Sequence, residues 1–146
     1  MPLFTTTRRV EFIDTDMAGI MHYSNFARFT EHAETEFLRS IGLELFTKQD
    51  DGSVLGWPRV SVTFSFKAPA YFADVLEARV SVNRIGVRSL TLNLEFHRGE
   101  TLVATGRLKT AYCLFLPDEP MRSVDIPDEY REKLEQYVGE LDSPMD

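Results

Sequence analysis

Residues 25–41, NFARFTEHAETEFLRSI, decide the fold, because they form the longest stretch with helical spacing in a chain that otherwise alternates like strands. Phe26, Phe29, Thr30, Ala33, Phe37 and Ile41 fall on one stripe of a helix. That stripe is wide and aromatic, which predicts a helix embedded in the core and not laid on the surface. Ser24 or Asn25 can cap its start, and Gly42 can end it.

The surroundings change period. Upstream, TRRVEFID (7–14) alternates, with Val10 and Phe12 facing one way and Arg9, Glu11 and Ile13 the other, so a strand is predicted to run into the helix approach. Downstream, a polar loop containing KQDDGS (48–53) precedes RVSVTFSF (59–66), which puts Val60, Val62, Phe64 and Phe66 on one face of a half-buried antiparallel strand. DVLEARVSVNRI (74–85), RSLTLNLEFHR (88–98) and TLVATGRLKTAYCLFL (101–116) follow, separated by Gly86 and by RGE (98–100), which are hairpin-length turns. The tail PDEYREKLEQYVGEL (127–141) opens on Pro127 with acids in its first turn, the pattern of a short closing helix.

Strand, long helix, four strands and a closing helix make an α+β fold with one antiparallel sheet curved around one dominant helix. Such a sheet has open edges, and pairing with a second copy would cover one, so a homo-oligomer is expected. The 146 residues, 43% hydrophobic and 12% aromatic, suffice for one domain with a substantial core, and residues 1–146 show no linker, repeat or low-complexity tract. Sixteen Lys and Arg against 23 Asp and Glu give a charge of −7, a field that repels polyanions and argues against nucleic acid as a partner. No apolar run approaches the roughly 20 residues of a membrane span, and the start lacks a basic-then-apolar leader. The expected location is cytoplasmic. The single cysteine, Cys113, lies in the apolar run AYCLFL and reads as a buried thiol.

The polar residues concentrate in FIDTDMAGIMHYSNF (12–26). Asp14 and Asp16 are two apart and would share a strand face and repel, so one is expected to turn away. Asp14 suits a bond to turn amides. Asp16 precedes Met17-Ala18-Gly19-Ile20-Met21, an apolar neighbourhood in which a carboxylate can serve as general base or nucleophile, or simply cap the helix. Gly19 permits a positive φ or a close approach to a ligand, and the helix that follows directs free N–H groups back at the turn, an oxyanion site made without side chains.

DTDMAGIMHYSNF (14–26) followed by ARFTEHAETEFLRSIGL (27–43) resembles the signature of the 4-hydroxybenzoyl-CoA thioesterase family of hotdog-fold proteins. VSVTFSFKAPAYFADVLEARVSV (60–82) is similar to that family's second strand, proline loop and following aspartate, at Pro69 and Asp74, and RSVDIPDEYREKL (122–134) to its ending. The resemblance implies a five-stranded antiparallel sheet wrapped around the long helix, two or four copies with active sites at the dimer interface, and hydrolysis of an acyl-CoA thioester. It implies no cofactor, CoA being part of the substrate, and no metal. It implies that Asp16 is the catalytic carboxylate and that the backbone N–H of Tyr23 polarises the thioester carbonyl. His22 would shape the thioester pocket, bond Asp16 or be structural. Asn25 would cap the helix or hold substrate, and Glu31 is a secondary carboxylate on the helix, with a solvated or interface position as the alternative for it, for Glu34 and for Glu36. Arg88 falls near the basic residues that contact CoA phosphates, or is plain surface charge. His32 and His97 read as structural or surface residues.

Rival readings remain distinct in kind. VEFIDTD also resembles the D-x-D motif of haloacid dehalogenase-like phosphatases, which need alternating strands and helices. A metal site from Asp14, Asp16 and His22 has no recognised spacing. A hotdog enoyl-CoA hydratase would use an aspartate and histidine one residue closer than Asp16 and His22. A catalytically silent hotdog domain that binds acyl-CoA or acts as a scaffold is the alternative outside enzymology.

Overall fold

The computed structural model describes residues 3–141. The chain opens with β1 (Phe4–Arg9), passes through a single 3-10 turn (Phe12–Asp14) and enters α1 (Asn25–Ser40). Two short strands, β2 (Phe46–Lys48) and β3 (Val54–Gly56), lead into β4 (Arg59–Phe66). The meander β5 (Val75–Ile85), β6 (Ser89–Arg98) and β7 (Thr101–Ala111) follows, then β8 (Cys113–Phe115), β9 (Arg122–Ser123) and α2 (Asp128–Glu135), with Pro127 immediately before α2.

The large sheet is antiparallel throughout, in the order β1-β5-β6-β7-β4. It carries no alternation of strand and helix, which removes the phosphatase reading. On one face Leu76, Ala78, Val80 and Val82 of β5 and Leu90, Leu92, Leu94 and Phe96 of β6 are buried at every second residue, while Ser81, Asn93, Glu95 and His97 are buried on the other face. Phe26, Phe29, Ala33 and Phe37 of α1 complete that core. The phenyl ring of Phe26 lies 5.8 Å from Phe96, and that of Phe37 lies 5.6 Å from Phe4 and 5.1 Å from Tyr137. Aromatic pairs at these separations add to the area they bury. Gly42, at φ +80°, ends the helix in the left-handed conformation its position requires.

The structure departs from the sequence-based expectation in four places. The first strand stops at Arg9, because residues 12–14 coil into the 3-10 turn, and Phe12 and Ile13 stand out into solvent instead of continuing the alternation. The apolar run of residues 101–116 is two strands, because Tyr112 leaves β7, donates its N–H to Arg88 O (2.8 Å) and crosses to the second sheet. That second sheet, ordered β2-β3-β8-β9, was not expected, since its strands are too short to show a period. Finally β4 is the outer strand of the large sheet, and Val60 and Val62 are 59% and 42% exposed, not half-buried, because α1 packs chiefly against β1 and β5 at the other side.

Glu34 is the one acid on α1 that the core swallows, at 1% exposure, and its Oε1 accepts from Arg59 Nη2 at 2.6 Å. Burial raises its pKa to about 7 against the opposing pull of Arg59. A carboxyl whose folded pKa is raised binds an extra proton in the folded state, so its contribution is fully present below the unfolded value of 4.5 and lost as pH rises through about 7. Denaturant unfolding at successive pH values from 4.5 to 8 is expected to show a fall in stability that Glu34→Gln lacks; equal slopes in both proteins would contradict it.

Candidate functional site

Asp14 organises the approach to α1. Its Oδ2 accepts the Glu11 N–H (2.8 Å) while its own N–H donates to Glu11 O (2.9 Å), closing the 3-10 turn as a reciprocal cap. This is the amide-bonding role its sequence position suggested. Its carbonyl then accepts two donors from the far side of the loop, the His22 N–H (2.9 Å) and Asn25 Nδ2 (2.8 Å). Residues 15–21 are thereby pinched into a tight loop, with Asp16 N–H donating to Ile20 O (3.0 Å) and Gly19 N–H to Asp16 O (2.9 Å). Gly19 sits at φ +81°, a conformation that costs an L side chain about a kilocalorie or more.

Asp16 is half-buried at the mouth of this loop, and its Oδ1 accepts the Ala18 N–H (2.8 Å). Of its apolar neighbours in sequence, Met17 and Ala18 are exposed, whereas Ile20 and Met21 share a cleft with it. The opposite wall comes from elsewhere. A cleft of about 610 Å³ is bounded by Asp16, Ile20, Met21, Tyr23 and Phe26 on one side and by Phe66 through Ala70 on the other. The Met21 N–H donates to Ala70 O (2.8 Å), which ties the two walls together. Pro69 O accepts from Arg98 Nη1 (2.7 Å), and Asp74 Oδ2 accepts the Tyr71 N–H (2.8 Å), so the Pro69 loop and Asp74 hold the second wall in place.

Tyr23 reaches the cleft at the head of α1. The next residues' N–H groups turn back to His22 O and Tyr23 O, and that of Ser24 donates to His22 Nδ1 (3.2 Å), whereas the N–H of Tyr23 has no hydrogen-bond partner among the described residues. The first turn of α1 carries no acidic side chain to compensate the positive end of the helix. A free donor at the positive end of a helix beside a carboxylate is the arrangement that acyl-transfer chemistry requires.

The other residues singled out from sequence divide. His22 lines a second, polar cleft of about 310 Å³ with Asp16, Ser24, Asn25 and Arg28, and its Nδ1 is 2.8 Å from Ser24 Oγ, with no hydrogen bond to Asp16. Asn25 is buried and spends its amide on Asp14 O. Glu31 is exposed, 3.8 Å from Arg59, and outside both clefts. Arg88 pairs with Asp125 at 2.7 Å at the start of β6, whereas Arg98, which holds the Pro69 loop, is at its end; ten residues of strand put these roughly 30 Å apart within one chain. His97 is buried and hydrogen-bonded to Glu95 at 2.7 Å, as a structural residue is, and His32 is half-buried on α1. Cys113 is buried, and burial raises its pKa. Among the described residues no three His, Cys, Asp or Glu side chains converge as metal ligands would. Phe66, Lys67 and Arg28 were missed; the small residues flanking Pro69 in KAPA were the available sign of a loop that must approach something closely.

A family profile described as the thioesterase-like superfamily matches residues 10–134. The chain belongs to this superfamily. A 1,4-dihydroxy-2-naphthoyl-CoA hydrolase of Thermosynechococcus vestitus is 30% identical over 128 residues, covering 87% of this chain and 85% of that one. A solved gentisyl-coenzyme A thioesterase superposes with a TM-score of 0.77 at 28% identity, over 90% of this chain and 99% of its own. A 1,4-dihydroxy-2-naphthoyl-CoA thioesterase from Synechocystis, 24% identical with a TM-score of 0.77 over 98% of this chain and 100% of its own, shares the fold. The family and these neighbours agree with the hotdog thioesterase resemblance carried by residues 14–43.

Removing the Asn25 amide would leave Asp14 O with one of its two donors. Asn25→Ala is expected to cost about 1–3 kcal/mol in denaturant unfolding, and to raise hydrogen exchange at residues 15–22; an unchanged midpoint and exchange pattern would show that the loop closes without it.

Proposed function

We propose that this thioesterase-superfamily protein hydrolyses an acyl-CoA thioester to the free acid and CoA. The observation that carries the reading is that Asp16 and Tyr23, whose N–H has no partner among the described residues, line one largely apolar cleft at the start of α1. The thioester carbonyl oxygen accepts from that N–H, which, together with the helix terminus, stabilises the charge that develops on oxygen. A donor of this kind is worth roughly 3 kcal/mol in related chemistry. Asp16 supplies the second requirement, either attacking the carbonyl carbon itself or taking a proton from the attacking water. The C–S bond then breaks and CoA leaves as a thiolate that is protonated on release; where Asp16 is the nucleophile, water then hydrolyses the acyl–aspartyl anhydride, which gives the free acid and restores the carboxylate. The phenol of Tyr23 is not required for this. Gly19 keeps the loop backbone in the turn that presents Asp16, and no cofactor beyond the substrate's own CoA is needed.

The exposed edge strand β4 supports a homo-oligomer, dimer or tetramer, in which two copies pair along this edge and cover Val60, Val62 and Phe66. An interface there would bring the partner's α1 and Arg59 region toward the Phe66 wall of the cleft. That is also where an aromatic or aliphatic acyl group would be sorted, by Phe26, Phe66 and Pro69. No helix among the described residues is long and apolar enough to cross a membrane, and a cytoplasmic location suits an acyl-CoA substrate.

Free-CoA release from short-chain, long-chain and aromatic acyl-CoAs is expected for the wild type. Asp16→Asn should fold normally and lose about 10²–10⁴-fold in turnover. Acyl-CoA binding without release from any member would move the reading to a silent binding module, and full turnover by Asp16→Asn would remove Asp16 from the mechanism. Light scattering should give at least twice the chain mass, falling to one chain in Val62→Lys; a wild-type monomer would refute pairing along β4.

A further inference from the structure

Two clefts share Asp16 as a common wall. The larger is walled mostly by carbon, and the smaller is the more polar of the two, with His22, Ser24, Asn25 and Arg28 beside Ile13 and Asp14. A thioester bound with its carbonyl at Asp16 has two arms of matching character, an acyl group and an amide-bearing, phosphate-ended coenzyme arm. The reverse placement would set the amides of the coenzyme against the rings of Phe26 and Phe66, beside a Lys67 that is already engaged within the chain.

We infer that the coenzyme arm leaves Asp16 through the polar cleft and that the guanidinium of Arg28 is its first cationic contact. The inference rests on the thioesterase reading for the ligand's identity and on the geometry for its route. Arg28 lies three residues beyond Asn25 and therefore on the same side of α1. Its guanidinium makes no hydrogen bond or ion pair among the described residues; only its carbonyl is engaged, by Arg8 Nη1 at 3.5 Å. By contrast Arg59 is held by Glu34, Arg79 by Glu77, Arg88 by Asp125 and Arg98 by Asp74 and Pro69 O. An unpaired cation beside a cleft counts for more in a chain of net charge −7. Exposed acids farther off than the Debye length of about 8 Å are screened, so the nearest cation decides whether an anion settles there.

Arg28 also opens onto a shallow depression along the outer face of α1, bounded by Arg8, His32 and Arg39. Arg8 lies over the Phe29 ring, 4.5 Å from its centroid, which fixes its direction. The two acids there, Glu31 and Glu36, lie 3.8 Å from Arg59 and 3.7 Å from Arg39. From Arg28 to Arg39 the helix advances roughly 16 Å, so the depression continues the path of an extended arm away from Asp16. Arg28 donates to an oxygen of that arm, either the outer amide carbonyl or a phosphate.

The test combines equilibrium binding with kinetics on the intact protein. Binding of free CoA and of pantetheine is measured by calorimetry for wild type, Arg28→Ala and Arg28→Lys. Hydrolysis of one acyl group is followed as its CoA, pantetheine and N-acetylcysteamine thioesters. Arg28→Ala is expected to weaken CoA binding and raise KM for acyl-CoA by about tenfold with little change in kcat, with partial rescue by lysine. The ratio of kcat/KM for acyl-CoA over the N-acetylcysteamine thioester should fall by the same factor. A loss shared by pantetheine but not by the N-acetylcysteamine thioester, which keeps only the amide nearest the sulfur, identifies the outer amide carbonyl as the acceptor, and a loss confined to CoA identifies the phosphate. Unchanged CoA binding in Arg28→Ala, an equal loss with all three thioesters, or a wild type that does not bind CoA would overturn the route. Wild-type CoA binding that Arg28→Ala weakens, without turnover of any thioester, would support the route and defeat the thioesterase reading alone.

Discussion

The carbonyl of Asp14 is the point on which the site depends. By accepting both the His22 N–H and the Asn25 amide, at 2.9 and 2.8 Å, it folds the loop back so that the chain leaving β1 and the chain entering α1 meet. Asp16 then has to sit where α1 begins. Each part is locally inexpensive: a reciprocal cap at Glu11 and Asp14, a glycine at the one left-handed position of the loop, and a helix start free of acids. Their sum is a cleft lined by Asp16 and by Tyr23, whose N–H has no partner among the described residues, held by backbone geometry and not by long flexible side chains. That is the preorganisation an acyl-transfer site needs.

The core supports this arrangement from behind. Phe26 is both the first buried residue of the α1 stripe to meet β6, through Phe96, and a wall of the cleft. The same packing that anchors the helix therefore fixes the position of its N-terminus. Phe66 does the equivalent for the opposite wall, 5.2 Å from Phe26 between ring centres, at the end of the exposed edge strand. The cleft and the proposed interface between copies thus share one strand, β4.

Much of this was legible in the sequence, for identifiable reasons. The α1 stripe and the β5–β7 meander are long enough for their periods to stand out, and the structure keeps both. Asp16, Gly19 and Tyr23 stood out in the sequence because they fall within eight residues of one stretch that resembles a family signature. The second sheet was not, because strands of two or three residues have no measurable period. The end of β1 was misread because Phe12 and Ile13 continue an apolar alternation that the Glu11–Asp14 cap overrides. The apolar wall at Phe66 to Ala70 and the route past Arg28 depend on contacts between distant segments, and Arg88 stands at the opposite end of β6 from the cleft.

The central claim is that the free N–H at the head of α1 polarises the bound thioester. The most direct measurement is the infrared carbonyl stretch of a carbon-13-labelled acyl-CoA bound to folded Asp16→Asn, which holds substrate without consuming it. A shift to lower frequency than in water, one hydrogen-bond donor at a helix terminus being present, is the expected result. A frequency equal to or above that of the free thioester, with binding established in the same sample, would contradict the account.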